Sequence, residues 1–135
     1  MTEQTFKPTV NIGVGMPQWL YLNQFGKIVH DAFGDWPYLV GSAVLGKTWR
    51  DVDVRLILAD EEYEALVGKL ERPEALNQRW CAFNMAFSEL GKRITGLPID
   101  FQIQQRTQAN KENPNQPRCA LILASLVIEA EKAGE

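Results

Sequence analysis

The sequence has few of the residues that most often build zinc sites and disulfide frameworks. It contains one histidine and two cysteines. Cys81 and Cys119 belong to no CxxC pair and fit no metal-ligand spacing, so a thiol-based metal site is excluded. A reducing cytoplasm is the simplest setting for such a chain.

Long apolar runs and a strong excess of one charge are also absent. No stretch is long enough to span a membrane, and the first residues lack the pattern of a secretory signal. We therefore expect a cytoplasmic protein with no membrane partner. The net charge of −3 gives no strong nucleic-acid signature. A chain of 135 residues with 45% hydrophobic content predicts one domain over residues 1–135.

The most informative segment that is present is DVDVRLIL, residues 51–58. Polar and apolar residues alternate there, which is typical of a half-buried strand. Asp51 and Asp53 then point to the same face, roughly 6.5 Å apart along the strand. Two carboxylates on one face favour a hard cation such as Mg²⁺.

A third carboxylate lies in PIDFQIQ, residues 98–104, which also alternates and places Asp100 on its polar face. If this strand lies beside residues 51–58, Asp51, Asp53 and Asp100 converge. Three carboxylates are enough to hold two Mg²⁺ ions about 4 Å apart. Such a pair of ions can bind nucleotide phosphates.

With Gly41-Ser42 upstream of these acids, the sequence resembles the DNA polymerase beta-like nucleotidyltransferase superfamily. The signature of that family is a Gly-Ser, a short connection, an acid-hydrophobic-acid strand and a later acid on another strand. The resemblance covers residues 36–104, including a connection glycine at Gly46, and is strongest to small single-domain members: phage-type versions and the minimal nucleotidyltransferases of toxin-antitoxin pairs. It implies an α/β (α+β) fold with a small mixed sheet, helices on one face and the carboxylates on the other.

The resemblance implies transfer of a nucleoside monophosphate from an NTP such as ATP to a hydroxyl acceptor, with release of pyrophosphate. Asp51, Asp53 and Asp100 would be the catalytic, metal-binding residues, with two Mg²⁺ ions as cofactors and Mn²⁺ as an alternative. The expected nucleotide-binding residues are Gly41, Ser42, Lys47, Arg50 and Arg55. Arg55 has a second interpretation, since it shares a face with Asp51 and Asp53 and can form an ion pair there.

Some positions depart from the family pattern. Many small members carry an Arg before the connection glycine and a Ser before the first acid, whereas this chain has Leu45 and Arg50. With one domain expected over residues 1–135, we expect no second domain to bind the acceptor, which leaves the loops, a protein partner or a homo-oligomer. A catalytically silent nucleotide-binding or regulatory domain is therefore the alternative function. In that case the aspartates could also be plain surface acids.

GSAVLGKT, residues 41–48, also fits the phosphate-binding P-loop pattern. A P-loop must be followed by a helix that points its N-terminus at the phosphates. Only Trp49 and Arg50 separate Thr48 from the next predicted strand. The context therefore favours the nucleotidyltransferase interpretation.

The remaining pattern predicts the order α-β-β-α-α-β-α. We expect a helix over 17–33, strands at 37–41 and 51–58, and a helix after Asp60 with that residue as its N-cap. Pro73 would open the next helix and Gly96 would end it. Residues 105–118 have the composition of a surface loop, and 119–132 are expected to form a last helix.

Overall fold

A computed structural model describes residues 12–123 of the chain. Helices and strands alternate over most of this range. The five helices are α1 (Gln18–Phe33), α2 (Ser42–Leu45), α3 (Asp60–Val67), α4 (Gln78–Thr95) and α5 (Arg106–Glu112). The four strands are β1 (Tyr38–Val40), β2 (Val52–Leu58), β3 (Ile99–Gln105) and β4 (Cys119–Ala120). None of the helices in the described range is long and apolar enough to cross a membrane.

The strands form one mixed sheet in the order β3-β2-β1-β4. β1 runs antiparallel to β2 and to β4. β2 and β3 are parallel, and α3 and α4 lie in the long connection that parallel pairing requires. The prediction of a mixed α/β architecture with a small mixed sheet is confirmed for the described residues.

The hydrophobic core lies on the face of the sheet opposite the predicted carboxylates. Along β2, Val52, Val54 and Leu56 have no exposed surface, as the alternation in the sequence predicts. Phe101 of β3 packs edge-on against Phe25 of α1, with ring centroids 6.2 Å apart. Burial of each large apolar side chain contributes about 1.5–3 kcal/mol, so this face fixes which side of β2 carries the acids.

The carboxylate-bearing face is open only at one end. Asp53 and Arg55 are half-buried, but Ile57, which follows them in the same alternation, is only 4% exposed. The end of this face near Leu58 is therefore covered. A site on this face is confined to the end near Asp53.

The free edge of β3 is covered by polar side chains of α4. The Phe101 N–H donates to Ser88 Oγ at 2.8 Å, and the Ile103 N–H donates to Asn84 Oδ1 at 3.0 Å. Trp80 Nε1 donates to the Ile103 carbonyl at 2.7 Å. An unpaired strand edge is a template for aggregation, and these contacts remove that edge while they fix α4 beside β3.

The start of α3 differs from the prediction. Asp60 is the first residue of the helix, and Ala59 occupies the N-cap position. The Asp60 carboxylate accepts from the N–H and the hydroxyl of Thr107 instead, at 3.1 and 2.5 Å. The predicted cap is wrong because a residue distant in sequence supplies better donors, and the contact joins α3 to α5.

The start of α4 also differs from the prediction. Pro73 leads into a short 3₁₀ turn, Glu74–Leu76, rather than into the helix. Asn77 is the true N-cap, and its side chain accepts from the Trp80 N–H at 3.0 Å. Gly96 ends the helix in the left-handed conformation, as predicted.

The C-terminal part contains two corrections. The segment 105–118, predicted to be a loop, includes α5. The helix predicted over 119–132 is wrong at its start, because Cys119 and Ala120 pair with β1. The part of that prediction from residue 124 onward lies outside the described residues.

Candidate functional site

Asp53 and Asp100 are direct neighbours across the parallel pair β2 and β3. On the other side of β2, Val40 of β1 is the register partner of Asp53. Asp100, Asp53 and Val40 are therefore neighbours across three strands. The Asp53 side chain is 26% exposed and that of Asp100 is 42% exposed. Two of the three predicted carboxylates are thus brought together, at the open end of the polar face.

Arg55 lies between these two carboxylates. One of its guanidinium nitrogens, Nη2, is 3.7 Å from Asp53 Oδ1 and 3.4 Å from Asp100 Oδ2. The other, Nη1, donates to the Asp100 carbonyl at 2.7 Å. Of the two interpretations offered by the sequence, ion pairing with the acids is the one seen in this structure. Arg55 supplies the positive charge that two adjacent carboxylates need.

Burial raises the pKa of Asp53 above its ordinary value of 3.8, and the nearby Arg55 guanidinium opposes this shift. The negative charges of Asp100 and Asp51 raise the pKa of Asp53 further. Asp53 is therefore in electrostatic contact with both of the other aspartates. A cation beside Asp53 would offset both the burial of its charge and the repulsion from the neighbouring acids.

Gly41 brings a tight turn directly against Asp53. Its φ of 75° and ψ of −157° are a combination that only glycine adopts easily. A Cβ at this position would clash with Asp53 Oδ2. Ser42 follows as the first residue of α2 and is exposed. A glycine at position 41 is thus what allows the Gly-Ser turn to approach the Asp53 carboxylate this closely.

A first cleft, here called the loop cleft, opens between this turn and the start of β2. It has a volume of about 380 Å³ and is lined by Ser42, Thr48, Trp49, Arg50, Asp51 and Asp53. Lys47 is exposed on the same connection but does not line the cleft. Of the predicted nucleotide-binding residues, Ser42 and Arg50 are therefore placed together with two of the aspartates.

The connection that forms the loop cleft is braced by residues near the start of the described chain. Trp49 Nε1 donates to the Gly13 carbonyl at 3.0 Å. The Gly13 N–H donates to the Ala43 carbonyl at 2.7 Å. Gly13 packs so closely on the backbone of Gly46 that no side chain fits there. These contacts fix the position of the loop cleft.

A second cleft, here called the helix groove, lies between α4 and β3. Its volume is about 540 Å³, and Asp51 and Asp100 lie among its lining residues. Trp80, Met85 and Pro98 provide much of its apolar wall. Asp51 lines both clefts, so the two open onto a common point next to the carboxylates.

The donor set suits a hard divalent cation, since Asp53 and Asp100 offer only carboxylate oxygens. Asp51 is exposed and lies just before β2. Within residues 12–123, no three His, Cys, Asp or Glu side chains are grouped closely enough to hold a metal ion. Two carboxylates fit the cation, and the three-carboxylate site with two Mg²⁺ ions stays a prediction.

The P-loop alternative is not supported by the structure. After Thr48 the chain continues into β2, and the four-residue α2 precedes Lys47 rather than following Thr48. β1 and β2 are antiparallel neighbours, so no crossover helix is needed between them. The residues that match the P-loop pattern instead form the wall of the loop cleft.

Thr48 and Trp49 are site residues that the sequence reasoning did not select. The clue in the sequence is their position, because both lie in the short connection between Ser42 and Asp51. Asn84 and Ser88 were also missed. Their four-residue spacing places both on one side of α4, the side that bonds to β3.

The Gly-Ser turn, the paired aspartates and the two clefts are the features by which this chain can be related to other proteins. The nucleotidyltransferase resemblance rests on Gly41, Ser42, Asp51, Asp53 and Asp100. No protein-family model, no curated protein and no solved structure matches the chain.

Proposed function

We propose that the chain is a metal-dependent nucleotidyltransferase. It would transfer a nucleoside monophosphate from an NTP to a hydroxyl acceptor. The observation that carries this proposal is the register that pairs Asp53 with Asp100, beside a Gly41-Ser42 turn that touches the Asp53 carboxylate. This is the spatial arrangement that the resemblance in the sequence implies.

The loop cleft suits the triphosphate. Ser42 offers a hydroxyl donor, and Arg50 offers a guanidinium that can bind two phosphate oxygens at once. Lys47, on the same exposed connection, adds a second positive charge. Such positioning and charge neutralisation are the main contributions of a protein to phosphoryl transfer.

The acceptor hydroxyl attacks the α-phosphorus in line with the departing bond. The bond from the α-phosphorus to the bridging oxygen breaks, and pyrophosphate leaves with the electron pair. Asp100, which is 42% exposed, takes the proton of the acceptor hydroxyl. Asp51, Asp53 and Asp100 would hold Mg²⁺ or Mn²⁺, which when bound neutralises phosphate charge and activates the hydroxyl.

A second candidate function is a catalytically silent nucleotide-binding or regulatory domain. The contacts of Arg55 with Asp53 and Asp100 favour it, because a guanidinium already compensates the charge that a metal ion would otherwise compensate. In an active enzyme Arg55 would have to share these carboxylates with the metal ions or turn toward the nucleotide.

Pyrophosphate release distinguishes the two functions. The assay uses each NTP with Mg²⁺ or Mn²⁺ and cell extract as a pooled acceptor, for wild type, Asp53→Asn and the control Asp31→Asn. Asp31 is an exposed acid on α1 that pairs with Lys27. We expect release by wild type and by the control, and a loss of at least about 100-fold in Asp53→Asn. Nucleotide binding without release would instead support the silent domain.

A further inference from the structure

The helix groove has the size and the walls of a ligand site. Its volume of about 540 Å³ lies within the range of about 300–1,000 Å³ that is common for small-molecule sites. Asp51 and Asp100 line it, together with Trp80, Cys81, Met85 and Pro98. A molecule in the groove would therefore have one end next to the carboxylates.

The groove is held open by the contacts that cover the edge of β3. Ser88 and Trp80 of α4 bond to the backbone of Phe101 and Ile103, and both line the groove. These bonds set the distance between helix and strand. The groove is thus preformed, which lowers the entropy that a ligand must lose on binding.

Met85 makes one wall of the groove apolar. Its side chain lines the groove, and the residue is 70% exposed. Methionine is flexible and adapts to irregular apolar ligands.

Asn84 is a buried polar residue in the wall of the groove. Its Oδ1 accepts from the Ile103 N–H at 3.0 Å, which identifies the other amide atom as Nδ2. Asn84 is only 8% exposed, and its Nδ2 has no hydrogen-bond partner in the described part of the chain. The Nδ2 atom has almost no accessible surface, so Asn84 serves the groove by fixing α4 to β3 through its bond to Ile103.

The charges around the groove discriminate between acceptor classes. Its charged lining residues are Asp51, Asp100, Glu89 and Lys92. Lys92 pairs with Glu89 at 3.0 Å, and Arg55, which does not line the groove, pairs with Asp100 at 3.4 Å. Among the lining carboxylates, only Asp51 has no ion pair within the described residues. A nucleic-acid strand needs positive charge along its phosphates, and the only lysine or arginine that lines this groove, Lys92, is already paired with Glu89.

We propose that the helix groove binds the acceptor, and that the acceptor is an uncharged or cationic molecule with an apolar body and a hydroxyl group. Its apolar body lies against Met85 and Trp80, and its hydroxyl reaches Asp100. The triphosphate occupies the loop cleft at the same time. This inference rests on the proposed nucleotidyltransferase function and adds the acceptor class to it.

The test is transfer of label from an α-phosphate-labelled NTP to the acceptors of a cell extract. Met85→Glu places a negative charge in the groove, and Ala86→Glu is the matched control, since Ala86 is exposed on α4 but does not line the groove. We expect Met85→Glu to lower transfer at least about tenfold and Ala86→Glu to leave it within about twofold. Binding of the Mg²⁺–NTP complex should be unchanged in both variants.

The possible failures are distinguishable. Equal transfer by Met85→Glu and wild type, with Asp53→Asn inactive, would overturn the groove but leave the proposed function intact. Label that becomes acid-soluble after nuclease treatment would overturn the acceptor class. Absence of transfer by wild type would overturn the proposed function, and the acceptor site with it. Thermal melting of both glutamate variants checks that each is folded.

Discussion

The loop cleft and the helix groove share Asp51, but the other residues that line them differ in polarity. The loop cleft is formed by a short polar connection with Ser42, Thr48 and Arg50. The helix groove is formed by α4 and β3 and has Trp80 and Met85 in its walls. In the proposed function, the same carboxylates therefore serve two ligands of different chemistry, a polyanion in the loop cleft and an apolar alcohol in the helix groove.

Among substitutions next to only one of the two clefts, we expect the largest effect at Gly41, in the turn beside the loop cleft. In Gly41→Ala the added Cβ clashes with the Asp53 carboxylate and the backbone is strained at its positive φ, so the carboxylate, the turn or both must move. We expect a loss of about 1–3 kcal/mol in the free energy of unfolding and a fall of at least about tenfold in pyrophosphate release. Urea unfolding and initial rates measure the two quantities.

Gly34→Ala is the matched control for this substitution. Gly34 also has a positive φ, 86°, but a Cβ there meets nothing within 4 Å. We therefore expect Gly34→Ala to strain the backbone but to leave pyrophosphate release unchanged. Equal pyrophosphate release by the two variants would contradict the role assigned to the Gly41 turn.

A smaller effect is expected at Arg50, on the loop cleft alone. Arg50→Ala removes a charge that the triphosphate would contact, which should raise the KM for the NTP about tenfold. The KM for the acceptor should change little. Arg93→Ala, an exposed arginine of α4 that lines neither cleft, should leave both values unchanged. An Arg50→Ala variant that affects the acceptor instead would reverse the assignment of the two clefts.

The smallest effect concerns the stability of the metal-free protein. Burial raises the pKa of Asp53 above 3.8 in the folded state, so the folded chain binds more protons than the unfolded chain just above that pH. Stability is then lost as the pH rises through the folded-state pKa. We expect Asp53→Asn to increase the free energy of unfolding at pH 7, by less than about 1 kcal/mol because the group is partly solvated.

Urea unfolding in EDTA measures this difference at pH 7 and again below pH 3.8, where Asp53 is protonated in both states and the gain should disappear. A lower stability of Asp53→Asn at pH 7 would show that the Arg55 contact outweighs the cost of burial.

The central strands and their polar face could be predicted from the sequence because alternation in residues 51–58 and 98–104 is a local signal. Asp53 and Asp100 were selected on that basis. Their direct pairing is set by the parallel register of β2 and β3. This register depends on how α3 and α4 return the chain to the sheet. Residue patterns within either strand therefore do not predict it.

The elements that escaped prediction depend on distant contacts. α5 is polar and has only one buried residue, Ala109, so it lacks the apolar stripe that marks a helix. Thr107, in its first turn, bonds to Asp60. β4 has two residues and is defined only by its pairing with β1. The helix groove was missed for the same reason, since it exists only once α4 is fixed beside β3.

The most direct test of the carboxylate site is Mn²⁺ binding, followed by electron paramagnetic resonance in the presence of a non-hydrolysable NTP analogue. Wild type, Asp53→Asn and Asp31→Asn are compared. We predict that wild type and Asp31→Asn bind Mn²⁺ together with the nucleotide, and that Asp53→Asn binds it at least about tenfold more weakly. Equal Mn²⁺ affinity in all three proteins would contradict a metal site at Asp53.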